Sequence, residues 1–135
     1  MNLQSVRSGI AERLATIDGL RVFDFMPQTA TPPCAVVGFP ERLSFDLAFA
    51  RGLDEVPVIP VYVFVGGAHE RSSQAQLSEF CAASGSTSIK EAIEADLTLG
   101  GTADTCRVVQ ARGFANYPIG AVEHLGCIFD VQVFG

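Results

Sequence analysis

The sequence predicts an α+β fold: a mainly antiparallel sheet with helices packed on it, in a single domain covering residues 1–135. Three observations lead there. Leu3, Val6, Ile10, Leu14 and Ile17 recur at spacings of three and four, which puts one apolar stripe on an opening helix. Leu125, Cys127, Phe129, Val131 and Val133 alternate with other residues near the end, the period of a strand. Between these, strand-like and helix-like segments follow one another in blocks rather than in strict alternation, and 135 residues leave no room for a second core.

Taken in order, Asn2 can cap the first helix and Asp18-Gly19 supplies its exit. Gly9 lies inside this helix at a cost of about 1 kcal/mol against Ala, so a close neighbour is expected to need the space. Residues 20–25 suit a short strand. Residues 26–33 read as an irregular connection, because Pro27, Pro32 and Pro33 remove backbone donors. Residues 34–38 are a compact apolar run fit for a buried strand.

Leu43, Phe45, Leu47 and Phe49 alternate with Ser44, Asp46 and Ala48, and residues 56–65 return as a longer strand. Residues 43–65 are therefore expected to form a projecting β-hairpin with Gly52 in or near its tip. Pro57 and Pro60 make the returning strand an edge, or bulge it locally. A second helix is expected over residues 72–83, with Leu77, Phe80 and Cys81 on one face. Ser88 and Glu91 form a capping box for a third helix, whose apolar side is Ile89, Ala92, Ile93 and Leu97. Gly100-Gly101 closes that turn. Residues 106–117 then pair with residues 123–134, joined through Pro118-Ile119-Gly120.

Composition excludes several functions. Nine basic residues against fifteen acidic ones give a net charge of −6, which disfavours general nucleic-acid binding, since that rests on Lys and Arg neutralising phosphates. No apolar run reaches the roughly 18–20 residues that span a bilayer, and the N-terminus lacks the charged-then-apolar layout of a secretory signal. No membrane contact is expected, and synthesis in a cytoplasm is. The four cysteines, Cys34, Cys81, Cys106 and Cys127, lack C-x-x-C spacing and sit in apolar segments, so they read as reduced core thiols.

Candidate chemistry is thin. A Cys–His nucleophile would need His69 or His124 in contact with a thiol and a third group to orient the imidazole, and no local signature supports that. His124 is expected to face solvent or a neighbouring subunit. The Gly66-Gly67 corner lacks the Lys-Ser/Thr pair and the spacing of phosphate-binding loops, and is explained by the need for a sharp turn. Asp54, Glu55, Glu91, Glu94 and Asp96 do not follow a calcium-loop pattern. No catalytic, cofactor-binding or metal residue is assigned. The predicted hairpin is the feature with surplus apolar surface: Phe45, Leu47, Phe49 and Leu53 either pack on the parent sheet or dock onto other copies.

The order of these segments resembles the tail-terminator group among the neck and tail-completion proteins of long-tailed bacteriophages and prophages. The resemblance is carried by the opening helix closing at Asp18-Gly19-Leu20-Arg21-Val22-Phe23-Asp24 and by Pro32-Pro33-Cys34-Ala35-Val36-Val37. It continues through the strand ending at Gly66-Gly67, residues 88–101, and the last strand ending at Phe134. It implies a non-enzymatic virion protein of the tail and neck. Such a subunit forms a ring, usually a hexamer, at the head-proximal end of the tail tube. Its implied partners are other copies of itself, the major tail-tube protein, a head-completion protein, and genomic DNA passing without sequence-specific binding. It also favours docking for the hairpin, with Phe45, Leu47, Phe49 and Leu53 at subunit contacts. Asp46, Asp54 and Glu55 would then face the channel, with Arg42 and Arg51 nearby. A head-closure (stopper) or other neck-ring protein is the alternative; a Cys/His-dependent hydrolase and a small bacterial binding module are more distant ones.

Overall fold

The computed structural model describes residues 1–25, 27–29, 31–46, 53–67 and 70–135. Its elements are α1 (Leu3–Leu14), β1 (Arg21–Phe23), β2 (Cys34–Val37), β3 (Glu55–Phe64), α2 (Arg71–Phe80), α3 (Ile89–Glu94), β4 (Thr105–Ile119) and β5 (Val122–Phe134). The five strands make one sheet in the order β1-β2-β3-β5-β4. Only β1 and β2 run parallel; the other neighbours are antiparallel, and the α+β expectation holds.

The opening helix forms for the reasons its sequence gives. The Asn2 side chain accepts from the Ser5 N–H at 2.9 Å, and Val6, Ile10 and Leu14 are fully buried one turn apart. A Cβ on Gly9 would lie 2.8 Å from the Leu99 carbonyl oxygen, so the close approach expected of that glycine is to the turn after α3. All three helices cover one face of the sheet. There α1 and α3 meet Val56, Ile59, Val61 and Val63 of β3 and Cys127, Phe129, Val131 and Val133 of β5 in one apolar core.

The edge placement expected for residues 56–65 is corrected. β3 is not an edge strand but the centre of the sheet, paired with β2 on one side and β5 on the other. Of the arm before it, Ser44 makes a single antiparallel bridge to Glu55, and residues 47–52 lie outside the described residues.

Two devices let a central strand carry prolines. A register shift between Val56 and Ile59 absorbs Pro57, the bulge that was expected as the alternative to an edge. Pro60 accepts from the Gly38 N–H at 2.8 Å but has no N–H to return, and the Arg7 Nε donates to the Gly38 carbonyl instead, at 3.0 Å. A side chain of α1 thus replaces the missing backbone donor. The Arg7 guanidinium also donates to the carbonyls of Val37 (2.8 Å) and Asp24 (2.6 Å) and to the Gln4 side chain (3.0 Å). A buried charge is tolerated only when so satisfied.

Three local expectations change. Ser88 Oγ does accept from the Glu91 N–H at 3.1 Å, but the Glu91 carboxylate accepts from Gly85 N at 2.7 Å rather than from Ser88, so the capping box is half formed. Leu97 is exposed, and Leu99, in the left-handed region at φ +51, takes its place in the core. Pro118 and Ile119 belong to β4, so β4 and β5 join through a tight turn at Gly120-Ala121, with Gly120 at φ +63.

Candidate interaction surface

The face of the sheet away from the helices divides into an apolar end and a polar end. At the apolar end, Cys34 and Val36 of β2 and Phe64 of β3 are buried together with Ile119 of β4. What covers them is the β4–β5 hairpin itself. A register shift between Arg112 and Ala115, with Gly113 at φ +67, bends the hairpin where it outruns β3. Tyr117 then meets the edge of Phe64 with ring centroids 5.8 Å apart and donates its hydroxyl to the Gly113 carbonyl. A Cβ on Gly120, at the tip, would lie 3.1 Å from the Gln28 carbonyl oxygen.

The longest hairpin among the described residues is β4–β5. In its overhanging part, residues 113–125, Glu123 is the one carboxylate, and there is no Lys or Arg. Phe114 and Val122 on it are both more than half exposed.

At the polar end, Asp130 is buried at 2% exposure. Its Oδ2 accepts from Gln110 Nε2 (2.7 Å) and Arg112 Nε (2.8 Å). Its Oδ1 is buried with no partner among the described residues. Gln132 donates to Glu55 at 2.9 Å and accepts from Arg107 at 2.9 Å, which extends the network across β3, β5 and β4.

Beside β2, a groove of about 570 Å³ runs between α1 and the sheet, lined by Arg7, Phe25, Val36, Phe39 and Tyr62 among others. Phe25 and Phe39 are 61% and 70% exposed at its rim, and the Arg7 guanidinium lies 3.9 Å from the centre of the Phe39 ring. Large apolar side chains left in water beside a groove are a signature of docking.

The sequence-predicted site residues scatter. Phe45 is exposed and Leu53 half-buried, while Leu47 and Phe49 lie outside the described residues. Asp46 takes the left-handed region at φ +50, and its N–H donates to Asp54 Oδ1 at 3.3 Å. Asp54 Oδ2 pairs with the Met1 α-amino group at 3.0 Å, which holds its carboxyl below the usual range. Glu55 is tied to Gln132. Two of the three proposed channel carboxylates, Asp54 and Glu55, are thus engaged within the subunit.

For chemistry, His124 is buried rather than solvent-facing: its ring Nδ1 lies 3.2 Å from the Val65 carbonyl oxygen. His69 lies outside the described residues. All four cysteines are free. Burial pushes the thiols of Cys34 and Cys106 up to about 11, with Glu94 and Asp96 adding to the shift at Cys106. Cys81 and Cys127 were read as separate core thiols, yet the fold brings their sulfurs to 4.0 Å. No sequence signal marks that pair, because 46 residues and a whole helix separate them. Among the described residues no cluster of His, Cys, Asp and Glu could hold a metal ion, and no helix is long and apolar enough to cross a membrane. No family model matches the chain, and no curated protein matches it significantly.

Proposed function

We propose that this chain is a structural subunit of a phage neck, a tail terminator that assembles as a ring on the head-proximal end of the tail tube. The reading starts from the order of segments that resembles that group. The observation that carries it further is the bent β4–β5 hairpin, an arm with exposed Phe114 and Val122 and a single charged side chain, Glu123. Burying one such side chain contributes roughly 1.5–3 kcal/mol. Repeated at every contact of a ring closed by head-to-tail rotation, that is enough to hold the assembly.

The groove flanked by Phe25 and Phe39 is the complementary concave surface on the same subunit. An arm and a groove at different places on one chain suit a head-to-tail contact, in which each copy gives one surface and receives the other. The acidic balance serves the second half of the function, since a ring of such subunits repels rather than grips DNA passing through it. A head-closure protein would use the same surfaces one storey higher. Of the groups a hydrolase would need, His124 is engaged with a backbone carbonyl and the group beside Cys81 is another thiol, while His69 lies outside the described residues.

Electron microscopy of the purified protein, alone and mixed with tail tubes, tests the reading. The expected image is a closed ring seated on one end of the tube. A protein that forms no ring and leaves both tube ends bare would overturn it.

A further inference from the structure

We infer that Cys81 and Cys127 form a thiol–disulfide exchange site, in which Cys81 is attacked first and Cys127 completes an intramolecular bond. The two sulfurs lie 4.0 Å apart, in contact but not bonded. A disulfide needs about 2.05 Å between them, so closure brings the sulfurs about 2 Å nearer.

Their settings differ in the way exchange requires. Cys81 is partly exposed at the cap that ends α2, where the backbone leaves the helix. It opens onto a shallow cleft of about 240 Å³ together with Ala82, Lys90, Val109 and Gln110. Cys127 is fully buried on β5 directly behind it. A reagent in solvent therefore meets Cys81 first. The contact with Cys127 lowers the Cys81 thiol below its ordinary value, while the same contact and burial push Cys127 up. Cys34 and Cys106 are both buried, so neither offers a reagent the partly exposed sulfur that Cys81 does.

With a low-molecular-weight disulfide such as glutathione disulfide as oxidant, the steps balance. The Cys81 thiolate attacks one sulfur of the reagent, forming a mixed disulfide and releasing one glutathione as its thiolate, which takes up a proton. Cys127 then gives up its proton and attacks the Cys81 sulfur, releasing the second glutathione. The protein loses two electrons and two protons, and the reagent gains them. The new bond closes the chain between residues 81 and 127, which removes freedom from the unfolded state and raises the melting temperature.

The test treats folded wild-type protein, Cys127→Ser and Cys81→Ser with glutathione disulfide, followed by peptide mapping by mass spectrometry and thermal melting. Wild type is expected to give a Cys81–Cys127 peptide pair and to melt higher, with Cys34 and Cys106 still reduced. Cys127→Ser should stop at a stable glutathione adduct on Cys81, and Cys81→Ser should take up none. A persistent adduct on wild-type Cys81, a bond to Cys34 or Cys106, or no reaction until the protein is unfolded would each overturn the inference. Should Cys127→Ser fail to fold, the wild-type map alone decides.

Discussion

On the helix-covered face of the sheet, β3 and β5 present Val56, Ile59, Val61, Val63, Cys127, Phe129, Val131 and Val133, none more than 3% exposed. On the opposite face the same two strands present Glu55, Pro60, Tyr62, Phe64, Ile128, Asp130 and Gln132. One side is uniformly apolar and sealed by three helices. The other mixes rings, a buried carboxylate and amides, and is covered only in part, by a hairpin folded over it. A strand buried on both sides reads as a continuous apolar run; β3 does so from Val56 to Phe64, while β5 breaks the run on the open side with Asp130 and Gln132. The difference concentrates folding free energy under the helices and leaves the open side and the hairpin as the surfaces to which the proposed function gives recognition.

The largest effect should come from the sealed face. Phe129→Ala removes a core ring and is expected to cost about 3–5 kcal/mol, read as a loss of the folded state in urea or thermal melts. A cost below about 1 kcal/mol would mean this face is not the core.

Next comes the bridge between the faces. Arg7→Met keeps the stem but strips the donors from the carbonyls of Gly38, Val37 and Asp24, the first of which Pro60 cannot serve. A loss of about 2–4 kcal/mol is expected, since several buried acceptors are left unpaired. The double variant Arg7→Met with Pro60→Ala should recover part of that loss by restoring a backbone N–H to the Gly38 carbonyl. A double variant no better than the single one would contradict this account of Pro60.

A smaller effect belongs to acid. The Glu94 carboxyl is pushed up by burial. The Lys90 ammonium at 2.5 Å, the Val108 N–H at 2.9 Å and the nearby Arg107 outweigh that and hold it below its ordinary 4.5. Asp96 is held low by the Gly100 N–H and by Thr98, and Asp54 by the Met1 amine. A carboxyl depressed in the folded state contributes stability that is complete above its unfolded value and is lost as pH falls through the folded one. Stability should therefore hold at neutral pH and decline below about pH 4. Glu94→Gln should lower the plateau and flatten the decline; an unchanged acid profile would show that the α3–β4 link is inert.

How far the sequence could be read follows the same division. The sealed face was legible, because period-3.6 and period-2 patterns report burial on one side: α1 and β5 fall where those patterns put them, and the third helix starts after Ser88 as expected but ends at Glu94, before Leu97. The role of β3 was not. Pro57 and Pro60 leave an edge strand and a local bulge both open, and nothing local reveals that a distant arginine compensates for Pro60. The pairing of residues 106–117 with 123–134 is legible in the sequence, but its projection past β3 is not. The bend at Gly113 and the folding of Ile119 onto Cys34 and Val36 depend on long-range packing that no short window contains. The pairing of Cys81 with Cys127 was hidden for the same reason. Among the proposed site residues, Asp54 looked free to face a channel only because its partner, the Met1 amine, is 53 residues away.

The smallest effect on folding and the sharpest on function should come from the open side. Phe114→Asp replaces a ring that is already more than half exposed, so it should change stability by less than about 0.5 kcal/mol. Sedimentation velocity on wild type and Phe114→Asp, each alone and with tail tubes, then measures the central claim directly. Wild type is expected to sediment as a closed oligomer, at the latest once tubes are present, while Phe114→Asp melts at the same temperature but stays monomeric throughout. Wild-type protein that is monomeric in both samples, or a Phe114→Asp variant that assembles as well as wild type, would contradict the division of labour between the two faces.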